Sequence, residues 1–488
     1  MLWRALSLFL CLCLLACPAK ASATDKAFDL TAECDITADG ASASSLTDNN
    51  VYTYRSVGEI VIKSQNPLFG LYVKFDRLPE KWVLTADGTV TECGDKGFLH
   101  EFVPLNGAVE LTLSFENKAS VADVFLYGEG DIPDTVQRWE IIDKADIMVC
   151  PTHSDDDQLY FAGMIPWCIA KGYDVQVVYF TNHWNTHDRP HELLDGLWHC
   201  GLKYYPYIPD HPDLYSLSLS EAEAAFGVFG YNKEYLTEFY IDLFERYKPL
   251  VVAGHDINGE YGHGAHMLNS TVLMDAVLLS AERGVWDVPK TYIHSWKENA
   301  VVFNWDIPME ELGGKTPFEV SQEGYAFHHS QHRFESLSRW LYGTDAMPIT
   351  KAAQIYSHSP CRYGLFRSTV GYDTEENSIF QNLKSHKEQA AEKVPPPDTP
   401  PEEPPVIQEP PRAAAVFSGE DVRRKYLQKN GEEFLIQKPL VFEPAVDKDT
   451  KNNELTVYVA VLAGIIVFCI AITIIKSRKN KNAEKNKA

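Results

Sequence analysis

The feature that most narrows the fold is a change of periodicity near residue 140. Beyond it, short apolar runs alternate with helical segments. Ile147 to Cys150, Val175 to Phe180 and Leu250 to Ala253 read as strands. Leu159 to Lys171 (broken near Pro166), Arg189 to Cys200, Tyr235 to Tyr247 and Met267 to Arg283 suit helices. Strand–helix alternation implies parallel strands joined by crossover helices. Residues 140–384 are therefore expected to form an α/β, Rossmann-like domain on a parallel sheet. In such sheets, sites form beyond the carboxyl ends of the strands.

Residues 25–135 lack that alternation. Val57 to Lys63, Gly70 to Phe75, Lys81 to Thr85 and Val109 to Phe115 are short runs rich in β-branched and aromatic residues. Asp39-Gly40, Asn66-Pro67 and Asp87-Gly88 punctuate them as turns. An all-β sandwich of jelly-roll type is expected there. Gly70 to Asp76 and Tyr127-Gly128-Glu129-Gly130 resemble galactose-binding-type sandwiches, which implies a carbohydrate-binding accessory domain. A purely structural domain is the alternative.

The chain has 488 residues, with 44 Lys+Arg against 68 Asp+Glu, a net charge of −24. That sign opposes phosphate backbones, so nucleic acid is excluded as a partner. Arg4, the apolar run Ala5 to Cys17 and Ala21-Ser22-Ala23 predict a secretory signal peptide over residues 1–23. Residues 455–475 carry no charge and are long enough to span a bilayer as a transmembrane helix. The tail at 476–488 is basic, with Lys476, Arg478, Lys479, Lys481, Lys485 and Lys487, which predicts a cytoplasmic end. Residues 385–454, dense in proline from Pro395 to Pro411, read as a stiff linker and stalk. The body is thus expected outside the cytoplasm, held to the membrane by one C-terminal helix. Cys34, Cys93, Cys150, Cys168, Cys200 and Cys361 would lie in an oxidising compartment, where disulfides form. Six cysteines allow fifteen pairings and sequence does not choose among them; Cys34 with Cys93 is one candidate, because both fall in the first domain.

Two clusters carry the chemistry. Pro151-Thr152-His153-Ser154-Asp155-Asp156-Asp157 follows the strand ending at Cys150. Acids near a helix start serve as caps, worth about 0.3–1 kcal/mol each, but three behind a histidine exceed that need. A bound cation would relieve their repulsion. The second cluster runs His255-Asp256-Ile257-Asn258-Gly259-Glu260-Tyr261-Gly262-His263-Gly264-Ala265-His266 and also follows a strand. His263 and His266 are three apart and share one face of a helical turn. His328-His329-Ser330-Gln331-His332 has ligand spacing but no acidic partner in sequence, so an exposed or substrate-lining loop is expected. Asn269-Ser270-Thr271 has the glycosylation pattern but falls inside a predicted helix and is discounted.

The set resembles the PIG-L/LmbE family of metal-dependent N-acetylglucosaminyl deacetylases. The family's His-Pro-Asp-Asp-Glu is matched by His153 to Asp157, and its Gly-His-x-x-His by Gly262 to His266. Its intervening Arg-x-x-Glu is matched by Arg189-Pro190-His191-Glu192. Ser154 stands where the family has proline, and Asp157 where it has glutamate. The likeness implies that His153, Asp156 and His266 hold zinc or another divalent metal. It implies Asp155 as general base, His263 as oxyanion stabiliser and Arg189 as a contact to the sugar or its aglycone. The implied activity is removal of the acetyl group from N-acetylglucosamine-type sugars or glycans. A cell-surface carbohydrate-binding or adhesion protein with a degenerate deacetylase domain is the competing expectation.

Overall fold

The computed structural model describes residues 26–392. The signal peptide, the spacer from 393 onward, the apolar run at 455–475 and the basic tail lie outside the described residues. Among the described residues, no helix is long and apolar enough to cross a membrane.

The first sheet has six strands in the order Ala41–Ser42, Asp35–Ala38, Arg55–Phe75, His100–Tyr127, Trp82–Ala86, Thr89–Cys93. The two long strands replace several short runs expected from sequence. Their alternation is visible at Val57, Ile60 and Ile62, which face Ala119, Leu113 and Leu111 and are buried. Leu71 pairs with both Val103 and Leu126, so one stretch of chain is flanked twice by the same partner strand. Phe75, Trp82 and Phe115 fill the interior, with ring centroids 5.8–6.3 Å apart.

The second sheet runs Ala300–Val302, Arg362–Ser368, Lys290–His294, Val251–Gly254, Ile147–Val149, Val175–Val177. Four of these strands pair in parallel, as the alternation requires. Arg362–Ser368 is antiparallel to both of its neighbours, so the sheet is mixed rather than wholly parallel. Successive side chains point to opposite faces. Ile147, Val149, Val251 and Ala253 join one apolar cluster, and Met148, Cys150 and Val252 the other. Helices therefore cover both faces, and the central strands read as unbroken apolar runs.

Helix ends follow local chemistry. Asn232 caps Lys233–Tyr247 by accepting from Tyr235 N at 2.8 Å, worth about 1 kcal/mol. The break expected at Pro166 lies earlier, at Gly163, and Met164–Ala170 carries Pro166 in its first turn, where proline is tolerated. Gly163 has φ +86°, and a Cβ there would meet Trp305 at 2.5 Å. The folded body continues past 384 through a helix at His386–Glu392. His386 N donates to Asp146 Oδ1 at 2.7 Å, so the spacer begins later than its composition suggested.

The two sheets belong to one compact unit. Leu99 N donates to Tyr205 Oη at 3.1 Å, and His100 Nε2 lies 2.6 Å from His191 Nδ1. The candidate Cys34–Cys93 disulfide is not formed, and all six described cysteines are free thiols. Cys34 Sγ donates instead to Leu30 O, at 3.3 Å.

Candidate active site

Three strands of the second sheet deliver the site. Ile147–Val149 runs into Thr152–Asp157, Val251–Gly254 into His255–His266, and Lys290–His294 ends on His294 itself. All three segments leave the sheet at strand carboxyl ends.

Asp155, Asp156 and Asp157 are only 5%, 3% and 1% exposed. Asp155 occupies the N-cap of Asp156–Leu159 yet makes no capping hydrogen bond. Capping therefore does not account for these acids. Burying carboxylates uncompensated costs several kcal/mol each, and the compensation for Asp156 is imidazole. Asp156 Oδ2 accepts from His153 N at 2.7 Å and lies 3.1 Å from His153 Nδ1 and 3.3 Å from His266 Nε2. His266 Nε2 and His153 Nδ1 are themselves 3.0 Å apart. Burial alone would raise Asp156, but His266 and His153 outweigh it and hold the carboxyl well below its usual range. Burial likewise opposes charge on His153, yet Asp156 and Asp213 lift it to about 9.

The donor atoms expected to bind metal thus lie within 3.0–3.3 Å of one another. Tetrahedral zinc with bonds of about 2.0–2.1 Å sets its ligand atoms roughly 3.3–3.4 Å apart. The set fits such an ion in spacing, burial and donor chemistry. Two neighbouring triads also come close enough, His153–His263–His266 and Asp156–His255–His266. His255 is already committed: its Nε2 accepts from Thr152 N at 2.9 Å, and its Nδ1 lies 2.8 Å from Glu260 Oε2. His263 Nδ1 accepts from Ala265 N at 3.3 Å, which leaves Nε2 as the protonated nitrogen. Burial, then His153 and His266, push His263 down to about 2, so its ring is neutral.

Glu260 organises the cluster from behind. It is fully buried, and its carboxylate meets His255 Nδ1 at 2.8 Å, His266 Nδ1 at 2.6 Å and His294 Nδ1 at 2.5 Å. The Nδ1 of His266 is held on Glu260, which leaves Nε2, on the side of Asp156 and His153, as the nitrogen that would bind a metal ion. Burial would raise Glu260; the three imidazoles outweigh it and hold the carboxyl well below its usual range. The loop carrying Glu260 turns at Gly259, φ +66°, where a Cβ would come within 2.4 Å of His263 O.

Asp155 lies beside Arg189, Oδ1 to Nη2 3.5 Å. Burial raises its carboxyl, against the pull of Arg189. Arg189 is held by protein groups: Nε donates to Ser154 Oγ at 3.1 Å, and Nη1 lies 3.2 Å from His183 Nδ1. Asp213 closes this side, 3.4 Å from His153 Nε2, 3.5 Å from His183 Nδ1 and 3.8 Å from Arg189 Nη1. Asp157 is buried beside Tyr179, and burial holds its carboxyl well above its usual range.

In the segment His328 to His332, His329 and His332 are exposed, and His329 lines a cleft. His328 alone among its histidines is fully buried, with Nε2 2.7 Å from Gln158 Oε1. Asn269 is also buried, donating to Cys150 O and Thr152 Oγ1, which removes it as a glycan acceptor. Asp213 and His294 are not marked by the sequence reading, and Glu260 is marked only as one member of its cluster. His294 was findable in principle, since it ends a strand on the site's side.

No protein-family model matches the chain. Over 59 residues it is 49% identical to the 1D-myo-inositol 2-acetamido-2-deoxy-alpha-D-glucopyranoside deacetylase of Nocardia farcinica (strain IFM 10152). That stretch covers 12% of this chain and 18% of that protein, so the chain spans less than a fifth of the curated relative it matches. Among solved structures it is similar to N,N'-diacetylchitobiose deacetylase from Pyrococcus horikoshii, at 15% identity and a TM-score of 0.32, over 45% of this chain and 84% of that one. It is also similar to the conserved protein TT1542 from Thermus thermophilus, at 15% identity and a TM-score of 0.29, over 40% and 84%. In motif order and over that shared stretch of sequence, the α/β part of this chain is similar to the PIG-L/LmbE deacetylase family.

Proposed function

We propose that this protein is a divalent-metal-dependent hydrolase that removes the acetyl group from N-acetylglucosamine-type sugars or glycans. The observation that carries the reading is the convergence of His153, Asp156 and His266, whose donor atoms lie 3.0–3.3 Å apart although His266 is 113 residues from His153. These three would hold the ion, zinc being the one their chemistry suits. Bound there, the ion would polarise the amide carbonyl and acidify water. The net reaction is amide plus water giving acetate and a free amine.

The chain's own groups supply the rest. Asp155 takes the proton of the attacking water and returns it to the departing nitrogen. Arg189, itself held by Ser154, keeps that carboxylate in place. Neutral His263 offers Nε2–H to the developing oxyanion. His263→Ala is expected to lower kcat about 10²–10³-fold with little change in KM, measured as acetate release. An extracytoplasmic, membrane-tethered location is part of this proposal and is supported by residues 1–23 and 455–475 as sequence.

The test is direct. Purified protein should carry one divalent ion per chain and release acetate from N-acetylglucosaminides. A chelator should abolish turnover, and added zinc should restore it. Full activity after chelation and metal analysis showing none bound would end the reading.

A further inference from the structure

A cleft of about 700 Å³ lies between the first sheet and the helix Arg189–His199. Asp188, His191, Glu192, Asp195, Trp198 and His199 line it, at spacings of three, four, seven, ten and eleven from Asp188. That spacing is one continuous face of a helix. The helix begins at Arg189, which touches Asp155, and its length at 1.5 Å per residue is roughly 16 Å. The cleft therefore follows a helix whose first residue touches Asp155, and that helix is long enough to lie along an oligosaccharide rather than one ring.

Its lining has a definite character. Asp134, Asp188, Glu192 and Asp195 face a single lysine, Lys74. Tyr52, Trp198 and Phe327 add aromatic surface, and Tyr52 and Phe327 are 60% and 36% exposed. The carboxylates are held in place: Glu192 by Ser330 N at 2.7 Å, Asp195 by Gln137 Nε2 at 2.5 Å, Asp188 by the Tyr52 hydroxyl. His191, only 2% exposed, also lines the cleft, and its Nε2 has no hydrogen-bond partner among the described residues. Burial holds Glu192 and Asp195 above the usual carboxyl range, a direction that a bound cation would reverse.

We infer that this cleft binds amine-bearing amino-sugar units of an oligomeric glycan, the units from which acetyl groups have already been removed. The inference rests on the deacetylase reading for its substrate class. Aromatic faces take the apolar side of a pyranose, and the acids take its ammonium. A neutral, fully acetylated chain satisfies only the first. The protein would then hold a partly deacetylated chain beside its reaction site.

The experiment compares a glucosamine tetramer with its fully N-acetylated counterpart by calorimetry. It uses the full chain carrying Asp155→Ala so that neither probe is consumed. The amine-bearing probe is expected to bind at least about tenfold more tightly. Adding Asp134→Asn and Asp195→Asn should remove that preference. Asp134→Asn alone, at an exposed position, serves should the double variant not fold, and should weaken the amine-bearing probe. Equal binding of both probes, or a preference untouched by these substitutions, overturns the inference. Acetate release with no amine preference would leave the hydrolase standing and this cleft refuted. Amine-selective binding without acetate release by the wild-type protein would support the cleft and refute the hydrolase.

Discussion

Replacing Asp155 by alanine is expected to reduce kcat by about 10²–10⁴-fold, the range for loss of a positioned general base, while the protein keeps its metal. Asp155 is not among the three groups within 3.3 Å of one another. Its contact is Arg189 Nη2, at 3.5 Å. Single-turnover acetate release alongside metal analysis separates the two effects. Asp155→Asn should behave like alanine, because the amide keeps the shape but accepts no proton. Activity within a few-fold of wild type would remove Asp155 from the mechanism. Loss of metal in step with activity would move it into the ligand set.

Glu260 gives the second large effect, and this one is read in stability. Its carboxylate is buried and accepts from three imidazoles, of His255, His266 and His294. Deleting one partner of a buried charged network costs about 3–5 kcal/mol, so Glu260→Ala should lower the urea midpoint sharply. Glu260→Gln keeps the volume but turns one acceptor oxygen into a donor. It should fold, and its metal affinity should fall about 10–100-fold, because the tautomer of His266 is no longer fixed. Unchanged affinity in the glutamine variant would mean that His266 does not need Glu260 to present Nε2.

Much of the α/β core was legible because its signals are local. Strands such as Ile147–Val149 and Val251–Gly254 are apolar runs between turn residues, and a helix such as Lys233–Tyr247 carries a cap and a 3.6-residue period. The same locality exposed the site, since His153 to Asp156 and His263 to His266 are compact clusters at strand ends. What was missed is non-local. The antiparallel strand Arg362–Ser368 gives no sign in sequence of which edge it joins. Asp213 reaches His153 across some sixty positions, and His294 meets Glu260 from another strand. The partners of Arg189, Ser154 and His183, can be seen only in three dimensions. Cys34 and Cys93 share a region of chain, yet a shared region is no measure of sulfur–sulfur distance.

The most direct test is crystallographic: anomalous diffraction at the zinc edge from protein grown with zinc. The account predicts one strong peak bonded to His153 Nδ1, Asp156 Oδ2 and His266 Nε2 at about 2.0–2.2 Å, with one coordination position open to solvent. A peak held by other residues, or none between these three side chains at full zinc loading, would contradict it.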